Sequence, residues 1–589
     1  MSRRDSRGRG ATPRNARDAV EALLRDELGR RGFLPALENE ARRAAEEAER
    51  RSPPRRDLTA LDTFTIDPAG ARDFDDAVSA QREGDTVRVW VHIADVAAHV
   101  RPGSTVDTEA RRRANSTYAP GTVEPMLPHV LSSDACSLVP DVERLAVTAE
   151  IELAGDGAVR GASFYRSRIR SDARLDYDRV DAIFAGRERA PEQVAEPLEV
   201  ARRTAAALGE RRGPTSLDVE SSEPEFEFDG GGEVVGARAV PQTESHRVIE
   251  RLMILANEQV AQLLQRKRVP GIYRVHALPD PERVERLVGQ LHDLGVPTPP
   301  LPAGRLSAQQ AAEIAAEASR LVTREARRRG HGRAAYTSLV LRSLKPASYS
   351  EVNTGHAGLG SDAYCHFTSP IRRYPDLVVH RALLAVLGEG EDAPRAGDVR
   401  EAAAHCSEIE RESMKIERQA DDICGAYLLE RELRESGDRE KGFAGEVSGV
   451  IRSGVFVAFG GELGDVYEGF LPARRLRGED FLALNETETA LVGKASGRRV
   501  RMGDPVSVRA TGVEAARGRV DLEPAPARGE GGDPKPEGRS RATAKGKPNK
   551  KAKAKAKGKG MSKAKAKGKA KAKAKARGKT KNKGKRRNG

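Results

Sequence analysis

Residues 65–76 read Thr-Ile-Asp-Pro-Ala-Gly-Ala-Arg-Asp-Phe-Asp-Asp, which sets Asp67, Asp73, Asp75 and Asp76 within ten residues directly after a short apolar run. Carboxylates that close together repel unless they stay in water or share cations. Two local structures satisfy that constraint. One is a solvated acidic turn, for which aspartate has its own hydrogen-bonding reasons. The other is a site for hard divalent ions: oxygen-only ligands suit Mg²⁺ or Mn²⁺, which take few carboxylates and leave positions for water and substrate phosphate. The second is the chemistry of phosphodiester hydrolysis. A calcium loop does not fit, because the EF-hand order of alternate oxygen ligands, a central Gly and a distal Glu is missing.

Far downstream, residues 364–381 read Tyr-Cys-His-Phe-Thr-Ser-Pro-Ile-Arg-Arg-Tyr-Pro-Asp-Leu-Val-Val-His-Arg. Between the two segments lie Asn-Ser-Thr-Tyr-Ala-Pro-Gly at 115–121, Pro-Met-Leu-Pro at 125–128 and Ser-His-Arg-Val-Ile-Glu at 245–250. In this order the motifs resemble the catalytic domain of the ribonuclease II and ribonuclease R exoribonucleases. The resemblance covers roughly residues 58–525 and is nearer to ribonuclease R. It implies a processive 3′→5′ exoribonuclease that releases nucleoside 5′-monophosphates from single-stranded RNA in RNA decay and quality control.

By that resemblance Asp67, Asp73, Asp75 and Asp76 are the metal-binding acidic cluster. Asp75 is a ligand or orients the attacking water, and the sequence does not separate these roles. Arg372 matches the first arginine of the family's Ser-Pro-Ile-Arg segment, where a planar guanidinium meets phosphate oxygens and favours the charged transition state. Arg373 is an adjacent candidate for RNA contact. Tyr118 and Tyr177 match positions that shape the pocket around the terminal nucleotides, and aromatic faces stack on any base. Glu250 lies near the terminal nucleotide by resemblance, although an exposed helix glutamate is an equally ordinary reading.

A chain of 589 residues is too long for one core. Residues 539–589 carry 24 Lys or Arg and no acidic residue, and subtracting them from the net charge of +14 leaves −10 for residues 1–538. The basic balance belongs to a tail. An acidic body that binds RNA must gather its cations locally or lean on that tail. The four cysteines, Cys136, Cys365, Cys406 and Cys424, form no C-x-x-C pair, which argues against zinc and a disulfide framework. No window approaches the length needed to span a bilayer. The expectation is a soluble, cytoplasmic monomer with no membrane partner.

The reading is a multidomain α+β protein in five parts. Residues 1–57 are a basic leader and a charged helical extension, with Val20, Leu23, Leu24 and Leu28 as its apolar stripe and a stop at Pro53 and Pro54. Residues 58–388 alternate strand-like runs, such as 86–93, with amphipathic helices, such as 248–264, and form the RNB-type catalytic domain. Residues 389–440 are a linker and a charged helix expected to pack on it through Ile409, Met414 and Ile423. Short Gly-punctuated strands over 441–525 suggest a small barrel, an OB-fold of the ribosomal S1 type. Its candidate RNA-stacking aromatics are Phe456, Phe459, Tyr467 and Phe470, each of which also fits a core position. Residues 526–589 are Lys-Ala and Lys-Gly repeats, read as a disordered tail that binds RNA or ribosomes by counterion release.

Family members carry two cold-shock-type barrels before the catalytic domain, whereas 57 residues precede Leu58 here. The expectation is a chain without them and an RNA entrance more open than usual. The rival readings are a catalytically weak RNA-binding or ribosome-associated protein, an endonuclease or DNA phosphodiesterase, and a histone-like DNA compactor that would use the tail.

Overall fold

The computed structural model describes residues 13–29, 32–51, 53–212, 223–438, 440–460, 466–476, 478 and 480–525. The start of the basic leader and the tail expected over 526–589 lie outside the described residues. The organising element is a seven-stranded sheet in the order Arg56–Asp57, Val159–Arg170, Glu143–Ala154, Thr86–Ala94, Asp76–Glu83, Phe64–Asp67, Ala173–Asp176. Pairing is antiparallel except at the two edges, where Arg56–Asp57 and Ala173–Asp176 run parallel to their neighbours. The central strand Thr86–Ala94 has six consecutive buried residues at its end. A strand buried on both faces reads as a continuous apolar run.

Helix Glu244–Lys267 buries Val248, Ile249, Leu252, Leu255, Val260 and Leu264 in the same core as the sheet, the 3.6-residue spacing of an amphipathic helix. Helix Tyr374–Leu387 is buried along almost its whole length. Helix Ala396–Ser436 is 41 residues long and meets several partners in turn. Its residues Ile416, Ala420 and Ile423 share a cluster with Val20, Leu23 and Leu24 of helix Ala16–Leu28 and with Phe226 and Val234 of the hairpin Glu223–Phe228 and Val234–Val240. Met414 departs from expectation. It is 53% exposed, because it falls on the face of the helix that borders a surface cavity with Tyr118.

Strands Phe443–Ile451, Gly454–Phe459, Tyr467–Pro472, Arg519–Pro524 and Pro505–Glu514 close into a five-stranded barrel. Gly445 is needed where strands approach, since a Cβ there would lie 2.6 Å from the Ala458 carbonyl. Two of the four expected stacking aromatics are corrected here. Phe459 is fully buried and Tyr467 5% exposed, both packed with Val447, Val455, Val457 and Leu471 in the barrel core. Side chains alternate across a strand, so Phe456 and Phe459, three residues apart, must point to opposite faces. Phe456 and Phe470 are cross-strand partners and half-buried, with ring centroids 5.4 Å apart. An unexpected three-stranded sheet, Leu482–Leu484, Ala490–Gly493 and Arg499–Arg501, interrupts the barrel. It is tied to helix Pro281–Asp293 by Asn485 Nδ2, which donates to Asp293 Oδ2 at 2.8 Å.

Candidate active site

The acidic residues are brought together by strand pairing. Phe64–Asp67 ends and Asp76–Glu83 begins at the same edge of the sheet, because Phe64 pairs with Val78 and the intervening loop doubles back. That loop is anchored. Phe74 is buried, its amide donates to Ser137 Oγ at 3.0 Å, and Ser137 Oγ donates in turn to the Arg72 carbonyl at 2.9 Å. Arg174 reaches from the parallel edge strand to the Pro68 and Ala69 carbonyls. Asp73, Asp75 and Asp76 are therefore presented by a fixed turn.

The downstream segment closes over them. The Ile371 amide donates to Asp75 Oδ1 at 2.8 Å and Arg372 Nε lies 3.6 Å from Asp75 Oδ2. The Arg372 guanidinium is 44% exposed and otherwise donates only to Ser369 Oγ, at 3.1 Å. Asn257 is buried between the two halves of the site, donating to the Tyr364 hydroxyl and accepting the Phe367 amide. Tyr118 stands across the loop, its hydroxyl donating to Asp73 Oδ2 at 3.1 Å. Its backbone amide donates to Glu417 Oε1 of the long helix at 2.8 Å.

A cavity of about 480 Å³ collects these groups. Asp67, Asp73, Asp75, Asp76, Tyr118, Tyr177, Glu250, Arg372 and Arg373 all line it. Glu250 is exposed on the cavity side of its helix. Arg373 lines the wall but its fork is committed: Nε and Nη2 donate to Asp376 at 3.0 and 2.7 Å. Phe456 and Phe470 are on the barrel, outside this cavity. A second cavity of about 810 Å³ shares Tyr118 and Tyr177 with it and continues past Phe226, Met414 and Arg418.

The electrostatics are those of crowded, buried acids. Burial, then the charge of Asp76, pushes Asp67 up to about 8. Burial pushes Asp76 up to about 6 against the opposing pull of Arg372 and Arg373. Asp75 is raised well above the usual carboxylate range by burial, with Arg372 offsetting part of it. Asp67 Oδ2 and Asp75 Oδ2 are buried and accept no hydrogen bond. Orphaned buried carboxylate oxygens are costly, and either a proton or a hard cation relieves them. Among the described residues no three His, Cys, Asp or Glu side chains form a ready-made cage.

One contributor was overlooked in the sequence. The His246 ring stacks on Tyr177 with centroids 3.8 Å apart and planes 10° from parallel. It sits four residues before Glu250, hence on the same helix face, and that spacing was the available signal. Glu417 carried no such signal, since its link to Tyr118 spans 299 residues.

The fold and site define a class: the chain belongs to the RNB domain family, whose model matches residues 55–389. Within that family it is similar to ribonuclease R. It is 33% identical to ribonuclease R of Escherichia coli over 488 residues, covering 79% of this chain and 57% of that protein. The chain thus spans little more than half the length of that relative. Among solved structures, Mycoplasma genitalium RNase R in complex with ribose-methylated single-stranded RNA superposes with a TM-score of 0.77. The two are 26% identical, and the match covers 87% of this chain and 78% of that one. Yeast Ssd1, described as a pseudonuclease, matches with a TM-score of 0.58 at 19% identity over 81% of this chain and 58% of that one. At that distance the likeness concerns the fold alone, and activity has to be argued from the site.

Proposed function

We propose that this protein is a divalent-metal-dependent 3′→5′ exoribonuclease that hydrolyses single-stranded RNA processively to nucleoside 5′-monophosphates, leaving a short oligonucleotide. The observation that carries the proposal is the convergence, on one cavity, of four aspartates, two of them with an orphaned oxygen, and a half-exposed arginine from a segment some 300 residues away. The direction of attack, the products and the processivity rest on the likeness to ribonuclease R.

Asp67 and Asp76, with Asp73 and Asp75, hold the metal, read as Mg²⁺ or Mn²⁺. When bound, the ions lower the pKa of the attacking water and stabilise the leaving 3′-oxygen. Asp75 fixes the Ser-Pro-Ile-Arg turn through the Ile371 amide, and so aims Arg372. Arg372 offers a planar, permanently charged donor pair to the phosphate as charge builds on its oxygens. Tyr118 and Tyr177 grip the terminal bases by stacking, Tyr177 backed by His246. Glu250 faces the same nucleotide, and Arg373 contributes by holding Asp376 and the turn. The second cavity, sharing Tyr118 and Tyr177, is the path by which the strand arrives.

The closed barrel over residues 441–525 is read as an S1-type OB-fold that holds the strand through Phe456 and Phe470. The Lys-rich tail at 526–589 is read as a sequence-independent hold on RNA or ribosomes. No helix among the described residues is long and apolar enough to cross a membrane, which is compatible with a cytoplasmic role.

The test is degradation of a 5′-labelled single-stranded RNA with Mg²⁺ or with chelator, comparing wild type with Asp76→Asn. Metal-dependent loss of full-length RNA to one short labelled product, abolished in the variant, is the expected result. Binding without degradation would return the protein to the catalytically weak RNA-binding reading. Internal cuts would make it an endonuclease.

A further inference from the structure

A third cavity lies on the opposite side of helix Glu244–Lys267 from the catalytic one. Glu250, Met253, Ile254 and Asn257 line the catalytic cavity, whereas Gln259, Gln262 and Arg266 of the same helix line an open cleft of about 710 Å³. Arg160, from strand Val159–Arg170, and Arg211 and Arg212, from the last turn of helix Glu192–Arg212, converge on it. Four arginines from three elements therefore border one cleft, in a body whose residues 1–538 sum to −10.

Part of this has a local explanation. Cations at helix C-termini complement the macrodipole, which accounts for Arg211, Arg212 and Arg266 taken singly. It does not account for Arg160, which is on a strand, nor for the convergence. Internal neutralisation is incomplete. Glu258 also lines the cleft and takes up Arg212, which pairs with it at 2.9 Å and donates to the Leu359 carbonyl at 2.9 Å, whereas Arg211 and its partner Asp156, 3.5 Å apart, are both exposed. Arg160 donates to the neutral Thr86 hydroxyl, and Arg266 is exposed on the rim. Gln259 and Gln262 add amide donors between the charges.

We infer that this cleft is a second nucleic-acid contact, in which Arg160, Arg211 and Arg266 hold successive phosphates of a single-stranded RNA outside the catalytic cavity. Planar guanidinium groups spaced along a polar groove suit a phosphodiester backbone rather than a base edge. The identity of the strand as RNA rests on the exoribonuclease reading, but binding at the cleft does not depend on catalysis.

The test uses the full-length protein with chelator present and 4-thiouridine RNAs of about 20 and about 5 nucleotides, comparing wild type with Arg160→Glu/Arg266→Glu. Both replaced side chains are exposed, so folding is retained. The longer strand is expected to cross-link to residues 259–266. In the variant its affinity should fall about tenfold and the salt dependence of log K should flatten by about 1.4, two phosphate contacts on a single strand. No cross-link there, with affinity and slope unchanged, would overturn the inference. So would equal cross-linking of the short RNA, displaced by free nucleoside 5′-monophosphate, which would make the cleft a product site. Hydrolysis of the longer RNA with Mg²⁺, at saturating RNA, is measured in parallel. Its absence in wild type would undo the enzymatic reading without touching the cross-link, and its persistence in the variant separates the cleft from catalysis.

Discussion

Arg372 and Arg373 are neighbours in the chain with different electrostatic surroundings. Arg373 is enclosed and forked onto Asp376, itself fully buried, whereas Arg372 keeps most of its donors free beside Asp75. Removing one partner of a buried pair strands the other charge, so Asp376→Ala should cost about 3–5 kcal/mol in urea denaturation. Arg372→Lys should leave stability near wild type and lower kcat about 10- to 100-fold, because an ammonium cannot reproduce the planar fork. Tyr118→Ala should raise KM for RNA by the loss of one stacked base, about 1–3 kcal/mol, and Tyr118→Phe should restore most of it. A rise in KM that Phe does not repair would shift the weight to the hydroxyl that bonds Asp73. The acidic cluster is a candidate from sequence because crowded carboxylates need water or cations, whereas Arg372 is a candidate only through the resemblance of its Ser-Pro-Ile-Arg segment. The commitment of Arg373 could not be named from sequence: the i, i+3 spacing to Asp376 was visible, but the burial that makes the pair exclusive is a tertiary property.

At the scale of elements, the barrel separates what pattern reveals from what it conceals. Alternation and glycine punctuation announce the strands over 443–459, and period-two geometry divides the four aromatics between two faces without saying which face is core. Phe459 and Tyr467 form core, and Phe456 with Phe470 borders the outer face. The division has an experimental signature. Phe459→Ala should destabilise by about 3–5 kcal/mol, as for a buried aromatic. Phe456→Ala should leave the melting transition almost in place and weaken RNA binding by about 1–3 kcal/mol. If Phe456→Ala proves as destabilising as Phe459→Ala, its ring is core as well and the stacking role falls. The inserted sheet over 482–501 escaped notice because strands of three or four residues are too short to display a period. The exposure of Met414 escaped because the long helix serves several partners, so no single apolar stripe runs its length.

For the molecule as a whole, buried histidines set the acid limit. Burial lowers His92 to about 3, and burial lowers His99 to about 4 against the opposing pull of Asp95. Below the ordinary histidine value near 6.5 the unfolded chain takes up protons at both, while the native state stays neutral there until about pH 4. Each ring therefore contributes a loss of stability as pH falls from about 6.5 towards 4, by up to about 1.4 kcal/mol per pH unit. The raised carboxyls of Asp67, Asp75 and Asp76 oppose it, because their native protonation favours the fold in acid. Urea titrations of wild type and His92→Gln at stepped pH, compared as a difference, should show the variant losing one ring's share of this slope. An identical pH dependence in the two would mean that the His92 ring ionises in place.

The long helix Ala396–Ser436 has a further consequence. One rod holds Tyr118 through Glu417, meets the first helix through Ile416 and Ala420, and accepts the Tyr467 hydroxyl at Glu432. The candidate active site, an N-terminal extension and a barrel are thus keyed to a single piece of backbone about 60 Å long. Residues 441–525 are therefore a poor cassette for grafting: transplanted alone they would leave behind the flank that Ala426 and Leu429 supply to the barrel core. In descent as in engineering, the barrel and this helix should travel together, and substitutions along the rod should be accepted in step with those on all three of its tenants.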